Sequence, residues 1–127
     1  MLYVKEAAGT VDEAVARLQE AAAANKFGVL GVIDLREKMA AKGVSFGPQC
    51  RIVEVCNPQQ AKKVLEANPA ISTALPCRIS VYEQDGKVKV ATLLPTALLE
   101  LFGNPAIRPV AQEVEAVVRR IVDAAAG

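Results

Sequence analysis

The dipeptide Asp85-Gly86, set between two runs of alternating apolar and polar residues, constrains the fold most. A type I′ turn needs positive φ at both central residues, and Asp-Gly meets that need. Side chains alternate along a strand, so the apolar residues of this hairpin share one face. That face carries Cys77, Ile79, Val81, Val88 and Val90. The sequence therefore predicts a sheet with one core face and one polar face, with Cys77 on the core side.

Capping signals and apolar periodicity predict the remaining elements. Thr10 and Glu13 have the spacing of a capping box, and Asn57-Pro58 has the form of a helix start. We expect further strands over residues 2–7, 27–35 and 49–56, and helices after Thr10, after residue 34, after Asn57, from Pro95, and from Pro105 or Pro109. The order predicts a single α+β domain over residues 1–127. Its sheet is expected to be mostly antiparallel or mixed, of about five strands, with helices packed on one face.

The segment 27–35 is apolar at both strand parities. Such a pattern is typical of a strand that is buried on both faces. Gly28 and Gly31 interrupt it, which indicates a bulge or a close backbone neighbour.

Charge and composition exclude several classes of function. Fifteen basic and fourteen acidic residues give a net charge of +1, so we expect neither a nucleic acid nor a membrane as a partner. The chain has no histidine, which excludes Ser-His-Asp and Cys-His catalysis within it. No apolar run reaches the roughly 18 residues of a membrane span, and no basic leader precedes an apolar segment. Three cysteines, an odd number, favour the reducing cytoplasm over a disulfide framework.

The three cysteines are the main candidates for chemistry, because a thiolate can attack an electrophile, carry sulfur or bind a soft metal. Free cysteine is also among the most buried residue types, so a purely structural role is the alternative. At about 3.3 Å per residue, Cys50 and Cys56 lie about 20 Å apart on one strand. Cys77 would lie beside Cys50 if its strand runs parallel to that one, and beside Cys56 if it runs antiparallel or across a dimer interface. The sequence leaves both open.

The chain offers little else for a site. Three scattered thiols do not match the ligand spacing of zinc, although a two-coordinate ion such as Cu(I) is compatible with them. Glu54 shares a strand face with Ile52 and two of the thiols, so it joins Cys56 and Cys77 as a candidate ligand-binding residue. A salt bridge at the strand edge is the interpretation of Glu54 that we favour.

Several motifs resemble a known family. They are Glu54-Val55-Cys56-Asn57-Pro58, Leu75-Pro76-Cys77-Arg78-Ile79-Ser80-Val81 and Gly103-Asn104-Pro105. Over most of its length the chain is similar to the bacterial and archaeal Domain of Unknown Function 302 family. The resemblance implies an α+β fold and a homodimer, and some relatives occur beside or fused to sulfur- or metal-handling modules. It implies no established activity. Relatives often have Asp or Asn before a proline where this chain has Leu94-Pro95, so a site that uses that polar residue would be altered here.

Two hypotheses about function follow. The first is a homodimeric binding or assembly module that holds a small ligand or a soft metal near Cys77. The alternative is a thiol-dependent enzyme, or a sulfur or redox carrier, with Cys77 or Cys56 as the nucleophile. A scaffold without any site is a third possibility.

Overall fold

Five strands form one sheet in a computed structural model that describes residues 1–127. The strands are β1 (Leu2–Ala7), β2 (Gly28–Asp34), β3 (Cys50–Cys56), β4 (Cys77–Gln84) and β5 (Lys87–Leu93). Their order across the sheet is β1-β5-β4-β3-β2, and every neighbouring pair is antiparallel. The predicted α+β class is therefore confirmed. Of the two predicted kinds of sheet, mixed and antiparallel, the structure has the antiparallel one.

The β4–β5 hairpin has the register that the sequence predicts. Val81 lies opposite Val90, and Gln84 lies opposite Lys87 at the turn. Asp85 and Gly86 have φ values of 53° and 74°, as a type I′ turn requires. The inward side of the hairpin is the predicted one, since Ile79, Val81 and Val90 are fully buried.

Five α-helices and two short 3₁₀ helices complete the fold. The α-helices are α1 (Val11–Ala24), α2 (Leu35–Ala41), α3 (Pro58–Ala67), α4 (Pro95–Glu100) and α5 (Arg108–Ala126). The 3₁₀ helices are Pro69–Ala74 and Pro105–Ile107. Thr10 and Glu13 form the predicted capping box at the start of α1, and the Asn57 side chain caps α3. Local signals thus determine where these helices begin.

Helices α1 and α5 pack on one face of the sheet and form the main core with it. This core is built almost wholly of Val, Ile, Leu and Ala; its largest fully buried members include Leu18, Val53, Val55, Ile79, Val118 and Ile121. A second, smaller core lies among α3, α4, α5 and the 3₁₀ helices, with Val64, Ile71, Leu99, Ile107 and Ala111 at its centre. Since β3 and β5 end, and β4 begins, beside these elements, the second core sits at one end of the sheet.

The prediction that the second strand is buried on both faces is wrong. Strand β2 is an edge strand, and Val29, Leu30 and Val32 are exposed. The predicted irregularity is present: the register with β3 shifts between Val29 and Gly31, as in a β-bulge. A bulge changes which residues share a face, so an apolar pattern at both parities here reflects the shifted register and not burial on two sides.

Candidate functional site

Strands β3 and β4 bring Cys56 and Cys77 together. Val55 lies opposite Cys77 on the core face, so Cys56, one residue further on, alternates to the opposite face; the two thiols are near each other only at the end of the sheet, where both line the same cavity. Cys50 lies opposite Tyr82, at the other end of the same two strands. The antiparallel register therefore decides between the two cysteine pairings that the sequence left open, and it selects the pair Cys56 and Cys77.

Burial holds both of these thiols in the protonated form. Burial, with a smaller contribution from charge on Cys56, raises the pKa of Cys77 from its ordinary value of 9.0 to about 11. Burial also raises the pKa of Cys56. All three cysteines are free thiols. Because the thiolate is the nucleophilic form, neither Cys56 nor Cys77 is activated near neutral pH.

A cavity of about 550 Å³ lies beside this pair, at the end of the sheet that carries the second core. Nineteen of its twenty-seven lining residues are hydrophobic. Helix α3, the connector before β4, helix α4 and the first half of α5 supply the inner wall, which includes Ala61, Val64, Ala74, Leu75, Leu98, Leu99, Val110 and Val114. Cys77 is only partly exposed, and it lines this cavity.

The cavity also extends onto the face of the sheet that α1 and α5 leave free. There its lining includes Leu2, Cys50, Ile52, Ser80, Tyr82, Ala91 and Leu93. The alternation of side chains places these residues opposite to the core face. The cavity is therefore closed by helices on its inner side and open on this outer side.

Few polar groups reach the cavity. Gln60 donates from Nε2 to Glu113 Oε2 at 3.0 Å, whereas its Oε1 is buried and accepts no hydrogen bond from the protein. Thr92 is buried and donates from Oγ1 to the carbonyl oxygen of Arg78 at 2.8 Å. A buried acceptor without a donor is costly, but this oxygen lies behind the cavity wall and is not accessible from the cavity. The sequence did not identify either residue as part of a site: Gln60 has the spacing of a capping-box residue after Asn57, and Thr92 stands in no motif.

Glu54 lies outside the cavity wall. Its carboxylate pairs with Arg78 Nε at 3.4 Å across the β3–β4 ladder, on the outer face of the sheet. This is the salt bridge that we favoured from the sequence. The structure thus places Cys56 and Cys77 in one site and assigns Glu54 to a surface ion pair.

The residue before Pro95 has no capping role in this chain. Leu94 precedes α4 and offers no side-chain acceptor to the first turn. Glu115 of α5 takes that place: its Oε1 accepts from the backbone N–H of Thr96 at 3.2 Å and from the Thr96 hydroxyl at 2.6 Å. The acceptor missing from the sequence motif is therefore supplied from another helix.

Other kinds of site find little support. No group of three or more cysteine or carboxylate side chains is arranged to hold a metal ion. None of the helices combines the length and the apolar character needed to cross a membrane.

Comparisons with known proteins agree with the fold. The family model described as "Domain of unknown function DUF302" matches residues 3–125. The crystal structure of an uncharacterised conserved protein DUF302 from Bacillus stearothermophilus is similar, with a TM-score of 0.92 and 32% sequence identity. The similarity covers 98% of this chain and 97% of that chain. No functionally curated protein matches the chain.

Proposed function

The chain belongs to the family of the domain of unknown function DUF302, and we propose that it is a homodimeric binding module for a small, largely apolar ligand. The observation that carries this proposal is the cavity of about 550 Å³ beside Cys56 and Cys77. Ligand sites in proteins have volumes of about 300–1,000 Å³, with apolar walls and a few placed polar groups. The cavity has each of these properties.

The walls define the chemistry of the ligand. Aliphatic side chains make up most of the inner lining, so the greater part of the ligand is apolar. Polar side chains are a minority of the lining and include Asn57, Ser80 and Thr92, which favours a ligand with few polar groups. The protonated thiols of Cys56 and Cys77 add weakly polar, polarisable surface to the cavity lining.

The raised thiol pKa values favour binding over thiol catalysis. A nucleophilic cysteine has a lowered pKa, from a nearby cation or a helix N-terminus. Burial acts in the opposite direction on Cys77 and Cys56. The alternative of a thiol-dependent enzyme would need a bound substrate to reverse this effect.

A fluorescent probe and a cavity-filling variant test the proposal. The probe is 1-anilinonaphthalene-8-sulfonate, an amphipathic fluorophore that gains intensity in apolar sites. The wild-type protein is expected to bind it with one saturable site for each chain. Ala61→Leu adds volume inside the cavity and is expected to weaken binding at least about tenfold, which corresponds to roughly 1.4 kcal/mol.

Ala67→Leu is the matched control, because Ala67 lies on the same helix, is exposed and does not line the cavity. It should bind the probe as the wild type does. Equal affinity of wild type and Ala61→Leu, or the absence of a saturable site in the wild type, would contradict the proposal. If Ala61→Leu binds the probe more weakly and Ala67→Leu does not, mass spectrometry of a solvent extract of the purified protein would identify the natural ligand.

The pairing of Cys56 and Cys77 favours a second candidate, a two-coordinate site for a soft ion such as Cu(I). Both thiols line the cavity at the same end of the sheet, Cys56 is close enough for its charge to act on the pKa of Cys77, and soft thiolate ligands select Cu(I). Metal binding must displace the thiol protons, so the raised pKa of Cys77 weakens affinity at low pH. Competition with bicinchoninate under reducing, anaerobic conditions is expected to show one Cu(I) for each wild-type chain and for Cys50→Ser. Retention of Cu(I) by Cys56→Ser or Cys77→Ser would refute this candidate.

A further inference from the structure

The outer face of the sheet, opposite to α1 and α5, has an apolar middle row. We define this outer face by the side chains that alternate away from the core on all five strands: Leu2, Val4, Glu6, Ile33, Cys50, Ile52, Glu54, Cys56, Arg78, Ser80, Tyr82, Gln84, Lys87, Lys89, Ala91 and Leu93. The cross-strand register aligns Val4, Ala91, Ser80, Ile52 and Ile33 in one row across the sheet. A row of this kind is expected where the face meets another apolar surface.

Helices α1 and α5 do not cover this face. The main core lies between the other face and the helices α1 and α5. None of the large side chains of the outer face is buried; Leu2 is 60% exposed and Leu93 is 45% exposed. Apolar surface of this extent on a small protein marks an interaction site.

The edges of the sheet are less suited to contact another chain. Exposed Val29, Leu30 and Val32 lie on edge strand β2, where the bulge between Val29 and Gly31 breaks the regular row of backbone groups. Bulges on edge strands block pairing with a further strand. The sheet face is therefore the stronger candidate.

We propose that the outer face binds the outer face of a second copy of this chain. The charges of this face favour this partner, because they have both signs and four of the five are paired: Glu6 with Lys87 at 3.1 Å and Glu54 with Arg78 at 3.4 Å, while Lys89 donates to Gln84 Oε1 at 3.0 Å. A two-fold interface places the same surface on both sides, so a nearly neutral face can meet itself, whereas a nucleic acid or an anionic membrane attracts a strongly basic one.

The area is sufficient for a dimer. Five strands spaced by about 4.8 Å and six residues of about 3.3 Å cover roughly 24 by 20 Å. Two such flat faces in contact bury about 1,000 Å² in total, without the additional area of protruding side chains. Specific interfaces begin near this size. Tyr82 adds an aromatic side chain of the kind that is enriched in interfaces.

The second copy also covers the open side of the cavity. Leu2, Ile52 and Leu93 belong both to the outer face and to the cavity lining. Docking of the partner over them encloses a ligand that the helices enclose on the inner side only. This last step rests on the binding function proposed above, while the dimer itself does not.

Analytical ultracentrifugation tests the interface. Val4→Asp and Ile33→Asp each place a charge in the apolar row and do not touch the cavity lining. Val32→Asp is the matched control, since Val32 is 40% exposed like Val4 and also lies on an edge strand, but on the helix side of the sheet. We expect dimers for the wild type and Val32→Asp, and monomers with unchanged far-ultraviolet circular dichroism for the two face variants.

A wild-type monomer at high micromolar concentration would overturn the proposal, as would dimers in all four proteins. Binding of the wild type to phosphatidylglycerol vesicles, lost in Val4→Asp, would assign the face to a lipid surface and overturn it as well. The fluorophore titration separates the two proposals. Monomeric Val4→Asp is expected to bind the probe more weakly than the wild type does. Equal affinity would refute the proposal that the partner closes the cavity. Failure of the wild type to bind the probe would refute the ligand function but not the dimer.

Discussion

Alkaline pH is expected to destabilise the protein through Cys77. Burial, with a smaller contribution from Cys56, raises the pKa of Cys77 from 9.0 to about 11 in the folded state. The folded state therefore holds this proton more tightly than the unfolded state does. The resulting stabilisation is complete below the unfolded pKa of 9.0 and is lost as the pH rises through the folded pKa of about 11.

The two pKa values give the size of the loss. Each pKa unit corresponds to about 1.36 kcal/mol, so the whole effect is about 2.7 kcal/mol. The contribution of Cys77 to the free energy of unfolding is expected to fall by about 1.3 kcal/mol between about pH 8 and about pH 10.

Urea denaturation of wild type and Cys77→Ala over this pH range, under reducing conditions, measures the effect. The lysines and tyrosines titrate in both proteins, so their contributions cancel in the difference between the two free energies of unfolding. The advantage of the wild type is expected to shrink by about 1.3 kcal/mol. Ile79→Val is the control: it removes a methylene from a buried neighbour on β4 without removing a titrating group, and its difference from the wild type should not change with pH. A pH-independent difference for Cys77→Ala would refute the desolvated position of this thiol.

Three further outcomes can be checked by urea denaturation followed by circular dichroism. Thr10→Ala is expected to lower the free energy of unfolding by about 1 kcal/mol through loss of the capping box, whereas Thr10→Ser should retain most of it. Gly86→Ala should cost about 1–2 kcal/mol, because its φ is 74° and its surroundings are open; Gly47→Ala, with equally open surroundings and no positive φ, should be neutral or slightly stabilising, and equal losses would contradict this reasoning. Glu115→Ala removes the acceptor at the first turn of α4 and should cost about 1–3 kcal/mol. Leu94→Asn in that background is expected to recover about 1 kcal/mol by supplying a cap, and no recovery would contradict the role of Glu115.

The elements that sequence reasoning predicted well depend on local interactions. The β4–β5 hairpin follows from two turn residues and the alternation beside them, and the start of α1 follows from the spacing of Thr10 and Glu13. Each involves residues less than about fifteen positions apart, so the sequence contains the whole cause.

The elements that it left open or predicted wrongly depend on distant segments. Whether Cys77 lies beside Cys50 or Cys56 is decided by the direction of β4 relative to β3, and a connector that includes a whole helix allows either direction. The position of β2 at the sheet edge is equally non-local, and its apolar pattern alone could not distinguish an exposed, bulged strand from a buried one. Glu115 could not be recognised as the acceptor for α4 because it lies on another helix.

One local motif nevertheless recurs around the candidate site. Asn57-Pro58, Asn68-Pro69 and Asn104-Pro105 each start a helix, and in each the Asn side chain accepts from the backbone N–H two residues further on at 3.0 Å. The 3₁₀ helix that begins at Pro69 was not predicted. The start at Pro105 was one of two starts predicted for the last helix, and it leads into a short 3₁₀ helix before α5.

These three starts build the walls of the second core but do not determine that a space remains inside it. Short helices present few side chains, and the inward residues Ala61 and Ala74 are small. Protein interiors pack without voids of this size, because each missing contact costs dispersion energy, so a space of about 550 Å³ is found here only because it opens to the outer side of the sheet. The size and the apolar walls of that space support the binding function proposed above.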